Sequence, residues 1–169
     1  AGKWSTATGI TSDAQCNNHC STGKWSTATG ITSDVQCNKN CSAGKWSAQT
    51  GLSSDAQCQA CAAGNYSVAG AGQTSSAVCD QLCSAGKWSD ETGLSSDDQC
   101  QACAGGRFSM AGAGQTLIAV CDQLCSAGKF SAETGLTSDK CLACPAGKWS
   151  NETGSAACKV CSAGFYSNL

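Results

Sequence analysis

Histidine, proline, arginine and methionine each occur once in this 169-residue chain. The lone histidine, His19, cannot furnish a Ser-His-acid arrangement in more than one place, and it is expected on the surface. Proline is so rare that the 38 Ser and Thr residues do not read as a mucin-like stalk. Charge is sparse too: Asp, Glu, Lys and Arg make up 13% of the chain, with a net charge of −2. The basic residues are spread evenly, which excludes a polybasic surface for nucleic acid or anionic lipid. No apolar run approaches the roughly 18 residues that a membrane span needs. Leu, Ile, Val and Phe are too few for a large apolar core. The acids stand mostly singly, as the Asp of S-D-x-Q, so acid–base pairs are not set up. A D-x-D-x-D-G calcium loop is missing as well; Asp97/Asp98 and Asp90/Glu91, within one repeat, come nearest to such a cluster. These absences point away from an enzyme and from a cofactor or metal.

What the chain does have is 16 cysteines and 20 glycines. Cysteine at over 9% of residues marks a disulfide scaffold. An even number in close, regular pairs implies an oxidising compartment, hence an extracellular or cell-surface protein.

The pairs recur with a period. The pattern G-x-aromatic-S occurs nine times, at Trp4, Trp25, Trp46, Tyr66, Trp88, Phe108, Phe130, Trp149 and Tyr166. Each unit then runs through a second glycine to a cysteine pair: Cys16/Cys20, Cys37/Cys41, Cys58/Cys61, Cys79/Cys83, Cys100/Cys103, Cys121/Cys125, Cys141/Cys144 and Cys158/Cys161. The repeats are 1–20, 21–41, 42–61, 62–83, 84–103, 104–125, 126–144 and 145–161, with 162–169 beginning a further one. A longer period lies over the first: residues 42–83 and 84–125 match at 33 of 42 positions without gaps. Such likeness suggests duplication of units that share one job. Because the chain starts inside a repeat and ends on SAGFYSNL, it is expected to be a segment of a longer array.

Local signals are short. The glycine before each aromatic and the one in TGI or TGL mark tight turns. S-D-x-Q, as in Ser12 to Gln15, Ser33 to Gln36, Ser54 to Gln57 and Ser96 to Gln99, has capping-box spacing and predicts one helical turn. That turn is expected to set both cysteines of the following pair on one face. The fold class is therefore small and disulfide-rich: an extended tandem array of short strands and turns with no single globular core. One Trp and one Leu cannot offset the entropy of ordering about 20 residues, so each repeat must lean on its neighbours. The aromatic is expected to pack on a disulfide and a glycine of the adjacent repeat, giving a thin rod.

Three cysteine chemistries fit the spacing. In one, the second cysteine of each pair bonds the first of the next: Cys20–Cys37, Cys41–Cys58, Cys61–Cys79, Cys83–Cys100, Cys103–Cys121, Cys125–Cys141 and Cys144–Cys158. It leaves Cys16 and Cys161 to partners outside the segment. In another, each pair closes on itself, a tiny ring of the sort found strained or redox-active. In the third, consecutive pairs bind zinc, which would require a reducing compartment. The first is the expected scheme, since it closes loops of 13 to 17 residues and staples repeat to repeat.

The motif C-x-A-G-K-[WYF]-S…G…C-x2-C resembles the cysteine-rich repeats of ephrin-receptor-like type, akin to the first submodule of tumour necrosis factor receptor ectodomains. CPAGKWSNETGSAACKVC, from Cys144 to Cys161, is the nearest match, and the likeness covers essentially the whole chain. In the receptor-type submodule the cysteine before G-x-aromatic bonds the next one along, so the resemblance implies the first scheme. It also implies an extracellular setting, since long runs of similar units occur in surface and filament proteins of protists.

Asn65 (NYS), Asn151 (NET) and, more weakly, Asn40 (NCS) are candidate N-glycosylation acceptors. The lysines before the aromatics, Lys3, Lys24, Lys45, Lys87, Lys129 and Lys148, read as a solvated edge beside an aromatic core, the alternative being a carbohydrate-stacking or cation–π ladder along the row. Together these features lead to an extracellular structural protein, a stapled rod that self-associates into a filament or surface coat, with glycans as possible partners. A receptor or adhesin stalk, or a ligand-binding ectodomain, is the alternative.

Overall fold

The computed structural model describes residues 1–164; Tyr166 lies outside them. Among the described residues, regular structure consists of two-residue strands and single 3-10 turns, with no α-helix. From the second repeat to the eighth, each opens on a β-turn. In the third repeat Lys45 N donates to Ser42 O, 3.0 Å, with Gly44 at φ +79° inside the turn, a conformation open to glycine and costly for residues with a side chain. Strand Lys45–Trp46 follows and pairs antiparallel with Gln59–Ala60, Lys45 opposite Ala60 and Trp46 opposite Gln59. Between the two strands the chain makes a second glycine turn and the 3-10 turn Asp55–Gln57.

Two compact units make up the chain, Ala1–Gln81 with Glu91–Ser96, and Leu82–Asp90 with Asp97–Leu169. The first holds the ladders Lys3–Trp4 with Asn18–His19, Lys24–Trp25 with Lys39–Asn40, and Lys45–Trp46 with Gln59–Ala60. The second holds Lys87–Trp88 with Gln101–Ala102, Arg107–Phe108 with Gln123–Leu124, Lys129–Phe130 with Leu142–Ala143, and Lys148–Trp149 with Lys159–Val160. The same hairpin thus recurs in tandem, and what core there is lies between repeats rather than inside one.

The 3-10 turn forms where S-D-x-Q predicts it. The Gln57 carboxamide reaches back and accepts from Ser53 N and Ser54 N, 2.7 and 3.2 Å, and the capping box is complete at Ser12, Ser33 and Ser54. The expectation that this turn carries both cysteines on one helical face is overturned. The turn stops at the first cysteine, and the residues between the two are the second strand, as Gln59–Ala60 between Cys58 and Cys61. Strand pairing to the Lys–aromatic segment takes those backbone groups, so the two cysteines of a pair serve different neighbours.

Within each unit the repeats touch not just the next repeat but the next but one. Gly51 N donates to Cys20 O, Gly72 N to Cys41 O and Gly93 N to Cys61 O, at 2.8–2.9 Å. The second unit repeats the bond from Gly135 N to Cys103 O and from Gly154 N to Cys125 O. These bonds bring two glycine turns of alternate repeats into backbone contact. A Cβ placed on Gly44 would collide with the carbonyl of Gly93, whereas one on Gly30 meets nothing within 4 Å.

Both glycines hold positive φ, so alanine at either is strained by about 1–2 kcal/mol. Gly44→Ala adds a backbone clash that neither turn can relieve, and is expected to cost at least about 3 kcal/mol in total. Thermal unfolding of the oxidised protein checks this: Gly44→Ala must melt well below Gly30→Ala, and equal melting temperatures would contradict the close packing of alternate turns.

Candidate functional site

The repeated structural unit is the junction between repeats, and its chemistry starts with sulfur. The structure carries seven disulfides: Cys20–Cys37, Cys41–Cys58, Cys61–Cys79, Cys83–Cys100, Cys103–Cys121, Cys125–Cys141 and Cys144–Cys158. Each joins one repeat to the next, following the consecutive order. Cys16 and Cys161 have free, half-buried thiols. Closing loops with cysteines 14 to 18 residues apart removes about 3 kcal/mol of denatured-state freedom apiece in the chain-entropy picture.

The aromatic covers the bond. Trp4 packs against Cys20, Cys37 and Ile31, and Trp25 against Cys41, Cys58 and Leu52. In each case the ring of one repeat lies on a disulfide and an aliphatic residue of the next. The indole N–H is not left without a partner: Trp4 Nε1 donates to His19 O and Trp25 Nε1 to Asn40 O, at 3.2 and 3.0 Å. Trp46, Tyr66, Trp88 and Phe130 are half-buried, Phe108 is buried, and Trp149 is 41% exposed. Lys39 sits over the Trp25 ring and Lys159 over Trp149, with Nζ 4.7 and 5.4 Å from the ring centres.

The serine after each aromatic is the residue that sequence reasoning undervalued. Ser26, Ser47, Ser67, Ser89, Ser109, Ser131 and Ser150 are all buried. Ser47 shows the reason. Its amide donates to Gln73 O of the next repeat at 2.9 Å, and its hydroxyl accepts from Gln49 N at 3.1 Å. A larger side chain would not fit against the neighbour, and alanine would remove the acceptor of the Gln49 amide. The constancy of this serine in G-x-aromatic-S was the available signal.

Three of the six lysines correct a second expectation, whereas Lys3, Lys129 and Lys148 are exposed. Lys24, Lys45 and Lys87 are not a solvated edge: each is paired with the aspartate of S-D-x-Q ten residues on, Asp34, Asp55 and Asp97, at 3.1, 2.7 and 2.6 Å. The same carboxylates accept the backbone amides of Ser21, Ser42 and Ser84 at 2.7–2.8 Å. Each aspartate thereby ties the opening turn of its repeat to the 3-10 turn. For Asp34 the Ser21 amide is the main cause of a pKa held below the ordinary carboxylate value. At Asp55 and Asp97 burial pushes upward, but the lysine and serine bonds outweigh it, and both pKa values are also lowered.

The fourth and sixth repeats lack both this aspartate and the lysine, whereas the eighth keeps Lys148 without the aspartate. In the fourth, Asn65 Nδ2 donates to Cys79 O at 3.3 Å; in the sixth, Arg107 Nη1 donates to Cys121 O at 3.3 Å. The donor before the aromatic is kept while its acceptor changes. Of the glycosylation candidates, Asn65 is therefore half-buried with its amide engaged, Asn40 lies exposed in a strand with its side chain over Gly72, and Asn151 is exposed. His19 is exposed, with its ring against Gly51. Among the described residues no group of three or more His, Cys, Asp or Glu is arranged to hold a metal ion. No helix of the described residues is long and apolar enough to cross a membrane. The sequence matches no protein-family model and no curated protein.

Because the folded pKa of these aspartates lies below the unfolded value, their contribution is fully present above about pH 4 and is lost as pH falls through the folded value. Hydrogen exchange of the Ser42 and Ser84 amides in the oxidised protein is expected to quicken as pH falls below about 4, after correction for intrinsic rates. Asp55→Asn should bring that quickening to neutral pH at Ser42 alone, at a cost of about 1 kcal/mol. Exchange at Ser42 indifferent to both changes would remove the carboxylate from the account.

Proposed function

We propose that the chain is an extracellular structural segment, a disulfide-stapled rod that self-associates into a filament or surface coat. Disulfide-rich hairpins in tandem fit an extracellular structural or ectodomain protein, and seven disulfides fit an oxidising, secreted setting. The observation that carries the finer reading is how the repeated residues are spent. Cysteine, aromatic and buried serine go to joining one repeat to another, and the lysine–aspartate pair goes to holding the turns of one repeat together. We assign no catalytic step to them. A unit used this way supplies length and a surface repeated at intervals of about 20 residues, and repeated surfaces suit lateral association.

The resemblance to ephrin-receptor-like repeats of protist surface and filament proteins supports the same reading, with Asn151 the best placed of the three sequons to carry a glycan. A second reading, the stalk or ligand-binding ectodomain of a receptor or adhesin, draws support from the sixth repeat. Its Arg107, Leu117 and Ile118 replace the Asn65, Ser75 and Ser76 of its duplicate.

Electron microscopy of the unreduced native protein, with and without reductant, separates the two. Ordered fibres that fray on reduction are expected. Dispersed single particles at all concentrations would overturn self-association and leave the stalk reading.

A further inference from the structure

In an array of near-copies, the residues that distinguish one copy from its duplicate carry information the shared residues do not. Residues 84–125 differ from 42–83 at nine positions. Two of the nine, Arg107 for Asn65 and Ile118 for Ser76, line one groove of about 500 Å³ in the second unit. Trp88, the disulfide Cys103–Cys121 and Ile118 supply its apolar lining, while Gln101, Arg107 and Asp122 supply polar groups. Both substitutions replace a smaller side chain by a larger one, so they deepen a space that the duplicate has less means to enclose.

We propose that this groove binds a neutral oligosaccharide of β-linked, all-equatorial hexoses. The volume lies in the range of small-molecule sites, about 300–1,000 Å³. An indole offers an apolar face with a negative quadrupole, which suits the C–H face of a pyranose ring. Around it stand an amide, a guanidinium and a carboxylate, all exposed. These provide donors and acceptors in a set with no net charge. A strong anion would meet Asp122 and a strong cation Arg107. An apolar peptide side chain would strip water from three polar groups and return no hydrogen bond. A ring with an apolar face and a hydroxyl edge satisfies both halves. Arg107 is held at the site by its bond to Cys121 O, and a guanidinium has five N–H donors in all, so it can serve a ligand as well. The proposal stands apart from self-association and does not depend on it.

The test is an NMR titration of the whole oxidised chain with cellotriose, with maltotriose as the axially linked comparison. Saturable shifts at the Trp88 indole N–H and the Arg107 amide are expected, with a Kd in roughly the millimolar range and weaker binding of maltotriose. The double variant Arg107→Asn with Ile118→Ser restores residues with which the duplicate repeat already folds. It should lose about tenfold in affinity or more while the rest of the spectrum stays in place. No saturable response to cellotriose would overturn the proposal, as would undiminished binding by the variant. Shifts at these residues that follow protein concentration without sugar would also overturn it, making a second copy the occupant.

Discussion

Everything in this structure depends on a disulfide that belongs to two repeats at once. The second cysteine of one pair and the first of the next meet beneath an aromatic ring, as Cys41 and Cys58 do under Trp25. Neither repeat owns a core. Take away the bond and each is left with one ring, one aliphatic side chain and a two-residue ladder, too little to hold about 20 residues in order. The polar layer follows from the same economy of size. With so little regular structure, backbone amides outside the ladders are satisfied one by one by side chains, and the serine after the aromatic, the glutamine of the capping box and the aspartate under Ser42 each do so.

Glycine sets the pitch of the packing. The turns at Gly44 and Gly93 approach so closely that a side chain at Gly44 would strike the facing backbone. In the first six repeats the side chain that ends the second strand then lies over the glycine turn of the next repeat but one, as His19 against Gly51, Asn40 against Gly72 and Leu82 against Gly114. Because the strand residue meets a bare turn, its identity is loosely specified, and the sequence uses His, Asn, Ala and Leu there without disturbing the hairpin. The serine and the two glycines vary far less: the serine is buried, the first glycine faces neighbouring backbone as at Gly44, and the second holds a positive φ as at Gly51.

The hairpin array was legible in the sequence because its period is short and its markers are chemically unusual. Cys, Gly and an aromatic at regular spacing leave few ways to pair. The Ser12–Gln15 box could be read from four residues for the same reason. What stayed hidden needed three-dimensional closure. That Lys45 meets Asp55 depends on a ladder folding ten residues back on themselves, and that Gly51 meets Cys20 depends on how repeats pack. The helical face expected to present both cysteines failed because a strand of two residues is invisible to periodicity. The groove beside Trp88 was hidden for another reason: its signal is a difference between duplicates, not a motif.

The central claim is that sulfur joins repeat to repeat in consecutive order, and disulfide mapping tests it most directly. Digestion of the unreduced protein with a broad-specificity protease, followed by mass spectrometry, should yield peptides linked as Cys41–Cys58, Cys61–Cys79 and Cys83–Cys100, in the order the structure carries throughout. Peptides in which Cys58 is bonded to Cys61, or Cys100 to Cys103, would contradict the account at its base.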